Sequence, residues 1–213
     1  MDSVYQHVLA WREALEQFGI ELSVWRIHRR IGMSGGLFVN ALLRETGSRF
    51  NPDRAAELQR THRECFQRHL AEVRPLPGAG ALLHHLSSVG IAWAIATSGG
   101  GQTARPTLEL LDIPDAVPVI THDEVPYAKP DPHLFLAAAN RLGVDAEHSI
   151  VVGDSVWDML AAQRARALGV GLLSGGYGRE ELERAGAFRV YDDPADLLIH
   201  LDELGVRVPP TPG

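Results

Sequence analysis

The chain has 213 residues, 45% of them hydrophobic and 22% charged, a mixture that supports one large or two small globular bodies and excludes a disordered chain. A formal net charge of −7 with no run of Lys or Arg excludes the basic footprint that a nucleic-acid partner needs. The single cysteine, Cys65, excludes an internal disulfide framework, and no apolar stretch reaches membrane-spanning length, so a cytoplasmic setting away from membranes is expected.

Val4, Val8, Trp11, Leu15 and Phe18 recur at steps of four and three, which predicts a helix over 3–18 closed by Gly19. Further helices are predicted over 24–31, over 37–46 with Gly47 as its stop, and over 52–73 with Asn51 as N-cap and Pro52 in the first helical position. No strand is predicted before Arg74, where "RPLPG" punctuates the chain.

Beyond that point short apolar runs alternate with amphipathic segments of helix length. Strands are predicted at "IAWAIA" (91–96), "VPVI" (117–120), "SIVV" (149–152) and "VGLL" (170–173). Helices fall over 78–89, 103–111, 132–142 and 156–168, with Gly90, Gly143 and Gly169 at stop positions. The alternation implies an α/β fold, a parallel sheet with helices on both faces. A short Pro-rich tail, "VPPTPG", closes the chain.

Ligands of such sheets bind outside the carboxyl ends of the strands, so the residues after each strand carry the functional information. After 91–96 come Thr97, Ser98 and Gly99 to Gly101, hydroxyls in a loop whose free amides can cradle an anion. "YAKPDP" follows the second strand and offers Lys129. After 149–152 come Asp154 and Asp158, two carboxylates one helical turn apart, whose mutual repulsion a bound cation would relieve. Mg2+ takes oxygen ligands from one or two carboxylates plus waters and substrate phosphate, which suits Asp154 as a direct ligand and Asp158 as a direct or water-mediated one. A hydroxyl, loop amides and one Lys would balance the charge of a transferring phosphoryl group. Each residue has a plainer reading alone: Asp154 and Thr97 as caps, Asp158 and Lys129 as solvated charges.

Three segments carry a resemblance. "IATSGG", "AKPDP" and "VVGDSVWDM" are similar to the second, third and fourth motifs of the haloacid dehalogenase-like hydrolase superfamily, near its phosphoglycolate phosphatase and phosphomutase branch with a helical cap. The resemblance implies a Rossmann-like core over 74–213 and a helical cap over 1–73, with "RIGMSGG" (30–36) as the loop that covers the substrate. It implies Thr97, with Ser98 and Gly99, as phosphate binders, Lys129 as the charge-balancing lysine, and Asp154 supported by Asp158 as the Mg2+ site. The substrate it implies is a small phosphorylated metabolite. A phosphomutase and a non-catalytic phosphate-binding module are the alternatives; dehalogenation of a 2-haloacid, which needs no metal, leaves Asp154 without a purpose.

The family's first motif, a strand followed by Asp-x-Asp-Gly-Thr, is absent, and no other Asp-x-Asp occurs. In the family that strand lies mid-sheet, between those corresponding to 91–96 and 149–152, and its first Asp attacks phosphorus. "MDSVYQHV" resembles the residues that directly follow it. A misassigned start, a truncation or a pseudoenzyme each account for this, and the chain as printed is expected to be nearly inert.

Other residues are expected to be structural. His84 and His85 fit no metal-binding pattern, Cys65 reads as a buried thiol, and Trp11, Trp25, Trp93 and Trp157 read as packing residues, the last at the edge of the site. Arg29 and Arg30 either meet a substrate carboxylate or end a solvated helix.

Overall fold

A computed structural model describes residues 1–46 and 51–206 of the chain. The expected stop at Gly47 and the Pro-rich segment 208–213 lie outside the described residues.

Helices α1 (Val4–Gln17), α2 (Val24–His28), α3 (Gly35–Thr46) and α4 (Pro52–His69) come first. The periodic stripe on α1 is what it buries: Val8, Trp11 and Leu15 pack with Ile27, Phe38, Leu42, Leu58 and Phe66 in one cluster. Cys65 is buried in the same cluster, as expected. Asn51 caps α4, its side chain accepting from the Arg54 amide at 2.8 Å, and Pro52 fills the first position where a missing N–H costs nothing. The α-helix ends at His69 rather than 73 because the last turn tightens into a 3-10 helix, Leu70–Glu72. Likewise α2 stops at His28, where a turn leads to Gly32 at φ 98°.

The strands are β1 (Ile95–Ala96), β2 (Val119–Ile120), β3 (Ile150–Gly153), β4 (Leu168–Leu172) and β5 (Ala187–Tyr191). Helix α5 (Ala79–Ser88) precedes the strands, α6 (Gly101–Leu108), α7 (His133–Leu142), α8 (Val156–Arg164) and α9 (Arg179–Arg184) run between them, and α10 (Pro194–Ile199) follows. All ladders are parallel, as the alternation predicts.

The sheet is not continuous. Among the described residues β1 pairs only with β2, while β3, β4 and β5 form a separate ladder in that order. Ile95 and Ala96 of β1 and Val152 and Gly153 of β3 line one cleft, which puts the break between those two strands. It explains why β1 is two residues long where 91–96 was expected: with a partner on one side only, its upstream residues lack a ladder. The break also strips cover from β3. Val152 is in register with Val170 and shares its face. Val170 is fully buried against Leu82 of α5 and Leu197 of α10, yet Val152 is 44% exposed.

Two boundaries differ from the sequence reading for packing reasons. Helix α8 ends at Arg164, and Gly169 is not its stop but a residue of β4. A Cβ there would lie 3.2 Å from Met159 Sδ and 3.3 Å from the Gly186 carbonyl, so the glycine lets α8 lie close on the sheet. β5 and its flanking helices α9 and α10 were not predicted, although Asp193-Pro194 is a helix-start signature: Asp193 Oδ1 accepts from the Ala195 and Asp196 amides at 2.8 and 3.0 Å.

Candidate active site

Three strand ends build the site. The loop after β1 is anchored at both levels: the Thr97 amide donates to the Ile120 carbonyl of β2 at 2.9 Å, and Thr97 Oγ1 accepts from the Gly99 amide at 3.1 Å. The Gly101 amide at the start of α6 donates to Asp123 Oδ2 at 2.7 Å. Among the described residues Ser98 Oγ is buried with no hydrogen-bond partner, a state that costs free energy until an acceptor arrives.

Lys129 is buried, and its Nζ donates to Asp158 Oδ1 at 2.7 Å. Asp158 Oδ2 accepts from the Ser155 amide at 3.1 Å and the Ser155 hydroxyl at 2.5 Å, closing a capping box at the start of α8. Both oxygens of Asp158 are therefore engaged within the protein. Gly153 makes this close approach feasible, since a Cβ there would fall 2.3 Å from the Asp158 Cβ.

Asp154 is different. It faces the cleft, and its pKa is pushed up to about 6, first by burial and then by the Asp158 charge, with Lys129 offsetting part of the rise. A carboxylate held in that state gains from a cation beside it. The residues present fit a divalent ion bound through one carboxylate together with substrate oxygens.

All six residues expected at the site, Thr97, Ser98, Gly99, Lys129, Asp154 and Asp158, line one cleft of about 560 Å³. The expected residues thus share one end of the sheet fragments, below the helical part of the chain.

The helical part closes over this cleft through bonds the sequence did not announce. The Ser34 amide donates to the Lys129 carbonyl at 3.3 Å, and a Cβ on Gly32 would meet Ser155 Oγ at 2.6 Å. Trp157 Nε1 and the Tyr177 hydroxyl both donate to the Arg29 carbonyl, at 3.2 and 3.0 Å. The Arg29 guanidinium pairs with Glu181, and His28 Nε2 lies 2.8 Å from the Gly175 carbonyl. Arg29 is neither a substrate group nor a solvated helix end but a tie to the α/β core. Arg30 reaches the cleft with its charge already paired to Glu45. Trp157 packs, and its polar edge secures the cap.

Two histidines also line the cleft. His7 and His62 lie 3.4 Å apart, stacked among Trp11 and Phe66. Burial holds His7 at about 4, and His62 well below its ordinary value, the latter also repelled by His7 and Arg63. Both are neutral near pH 7. Their sequence neighbours carry no motif, so nothing along the chain marked them.

Fold and cleft together define the class: a parallel α/β body with a helical cap over its strand ends. Residues 2–166 match the haloacid dehalogenase-like hydrolase family, and the chain belongs to that family. A phosphoglycolate phosphatase of Rhodospirillum rubrum is 38% identical over 129 residues, 60% of this chain and 53% of that protein. One from Neisseria meningitidis is 32% identical over 183 residues, covering 82% of this chain and 76% of that protein. The matched stretch thus spans only about half the length of some curated relatives, such as the 53% in Rhodospirillum rubrum. The crystal structure of a hydrolase from Pseudomonas syringae superposes with a TM-score of 0.93 at 52% identity, over 95% of this chain and 93% of that one. A β-phosphoglucomutase from Clostridium difficile shares the fold at a TM-score of 0.82 and 22% identity, over 94% of this chain and 90% of that one.

Proposed function

We propose that this chain forms the phosphate- and cation-binding body of an Mg2+-dependent phosphatase. Its substrate is a small phosphomonoester, hydrolysed in the cytoplasm through an aspartyl-phosphate. The observation that carries the reading is the convergence of a hydroxyl without a partner among the described residues (Ser98), a buried ammonium (Lys129) and a carboxylate whose pKa burial raises (Asp154) on one cleft at the strand ends. Hydroxyl and ammonium suit a phosphoryl group, and the carboxylate suits a cation; no apolar or haloacid substrate needs all three. The names of the curated relatives, phosphoglycolate phosphatases among them, agree with this class.

In this reading Thr97, Ser98 and the loop at Gly99 grip the phosphoryl oxygens, and Lys129 neutralises their charge. Lys129 is aimed by Asp158, which Ser155 fixes in turn. Asp154 holds Mg2+, which when bound withdraws charge from the phosphoryl group. Asp158 acts through Lys129 more than as a direct ligand. Residues 1–73 form the cap that shields the cleft from water. The attacking carboxylate is not among these residues. We place it on a strand filling the gap between β1 and β3, because that gap opens on the same cleft and both flanking strands offer free edges to it.

The test compares the chain as it stands with a version extended at its amino end by an apolar strand ending in Asp-x-Asp-Gly, using an aryl phosphate and Mg2+. Loss of a nucleophile costs on the order of 10⁶ in turnover, so only the extended version should hydrolyse the ester. The proposal falls if the extended version folds and binds phosphate yet leaves the ester intact. Turnover by the unextended chain would equally remove the missing nucleophile from the account.

A further inference from the structure

We propose that Ser174 is a positioning residue of the cation site at Asp154: its hydroxyl accepts a hydrogen bond from a water held by the divalent ion and so fixes the ion's place in the cleft. This rests on the reading above that Asp154 holds Mg2+, and it adds to that site a residue from a fourth strand end.

Among the described residues, four buried side-chain atoms lack a hydrogen-bond partner, and two of them, Ser98 Oγ and Ser174 Oγ, belong to residues that line the cleft. Their places in the sheet differ. Ser98 follows β1, on the far side of the gap, whereas Ser174 lies in the 3-10 turn Leu173–Gly175 that follows β4. β4 is the neighbour of β3, and Gly153 stands in register with Gly171, so Asp154 and that turn leave the sheet side by side. In the strand order the two hydroxyls therefore stand on opposite sides of Asp154, and only Ser98 belongs to the loop read as the phosphate cradle.

The turn is pressed against Asp154. A Cβ on Gly175 would fall 2.0 Å from the Asp154 carbonyl oxygen and 2.9 Å from its Cβ, so the backbone of the turn packs where no side chain fits. The cap holds the other side. His28 Nε2 lies 2.8 Å from the Gly175 carbonyl, and a Cβ on Gly176 would meet His28 Nε2 at 2.8 Å and the Tyr5 hydroxyl at 2.9 Å. Ser174 is thus fixed between two packed layers with its hydroxyl unsatisfied, a cost that a bound ligand removes.

A hydroxyl offers one donor and two acceptor positions. Mg2+ gives up its waters reluctantly and is bound with several of them in place. Asp154 offers a carboxylate, while both oxygens of Asp158 are engaged with Lys129 and Ser155. The ion's waters then need acceptors other than Asp158, and the turn packed on Asp154 presents Ser174. Removing a group that orients a metal's ligands in this way costs about 10- to 100-fold in affinity.

The experiment follows the melting temperature of the full chain through a Mg2+ titration, which reads affinity without turnover. Ser174→Thr and Ser174→Val place nearly the same volume at the position, with and without the hydroxyl. The Thr variant is expected to keep most of the parent's Mg2+ affinity, and the Val and Ser174→Ala variants to lose about tenfold. Melting in metal-free buffer confirms that each variant folds. There Ser174→Ala should melt no lower than the parent, since it removes an unsatisfied group. Equal Mg2+ affinity in Ser174→Ala and the parent overturns the role of Ser174 and leaves the phosphatase reading intact, as does equal affinity in the Thr and Val variants. A parent chain without any Mg2+ response, or one whose response survives in Asp154→Asn, instead removes the cation reading, and this inference with it.

Discussion

Lys129 Nζ sits 2.7 Å from Asp158 Oδ1, and both side chains are at most 10% exposed, so the candidate site contains a buried ion pair reaching across 29 residues of sequence. Such a pair contributes little relative to apolar residues of the same volume, but removing one partner strands the other charge. Its value here is positional: the ammonium is fixed at the cleft.

Asp158→Ala should therefore cost about 3 kcal/mol of stability in urea unfolding, the low end of what breaking a buried pair costs, because Asp154 remains near Lys129. Asp158→Asn should recover part of this by preserving the capping of α8. Joint replacement of Lys129 by Met and Asp158 by Leu should cost less than the sum of the single changes. Additive effects would show that the two charges are not coupled.

The raised pKa of Asp154 sets a pH dependence with a definite sign. Its value is about 6 in the folded chain against an ordinary 3.8. A carboxyl raised on folding favours the native state while protonated. That contribution is whole below 3.8 and is lost as pH climbs through about 6. The ionised group then opposes folding by up to roughly 3 kcal/mol at 1.36 per unit, less what its partial contact with solvent screens. Added Mg2+ should raise the melting temperature clearly above this window and hardly at all below it, and Asp154→Asn should abolish the response. If the variant responds to Mg2+ as the parent does, Asp154 holds no cation.

Ser98 separates binding from stability. Its hydroxyl is buried without a partner, so Ser98→Ala removes an unsatisfied group and should leave stability unchanged or raise it by about 1 kcal/mol. Phosphate affinity should fall at the same time, read by calorimetry. Tighter phosphate binding in the variant would place the hydroxyl outside the phosphate's reach.

These relationships divide sharply by how legible they were. Thr97, Lys129 and Asp154 could be placed from sequence because each directly follows or closely trails an apolar strand, and parallel topology then brings strand ends together. Ser155 was also readable, since Ser155 and Asp158 form a Ser-x-x-Asp capping pattern, but the spacing of Asp154 and Asp158 equally suits a metal site. The places of His62 and His7 in the cleft were not readable. They come from helices whose periodicity reports only which face is buried, while the register of one helix against a distant loop depends on tertiary packing. The ties of Arg29 to Trp157, Tyr177 and Glu181 span more than a hundred residues and leave no local trace. β5 was missed because "AFRVY" mixes an exposed Phe188 and Arg189 into an edge strand, which blurs the alternation.

The gap in the sheet offers the most local prediction. The amides of Ile95 and Thr97 donate to the carbonyls of Pro118 and Ile120, each at 2.9 Å, so both point toward β2. Successive amides of a strand point to opposite sides, which directs the Ala96 amide into the space between β1 and β3. Hydrogen exchange should accordingly find Ala96 unprotected and Thr97 slower by about tenfold or more, since only the latter is locked in a ladder. A strand supplied at the amino end should protect Ala96 and cover Val152 at once. Protection of Ala96 in the unextended chain would mean the edge is already satisfied. A strand docked elsewhere would leave that amide exchanging freely, and the nucleophile could not then be placed beside Lys129 and Asp154.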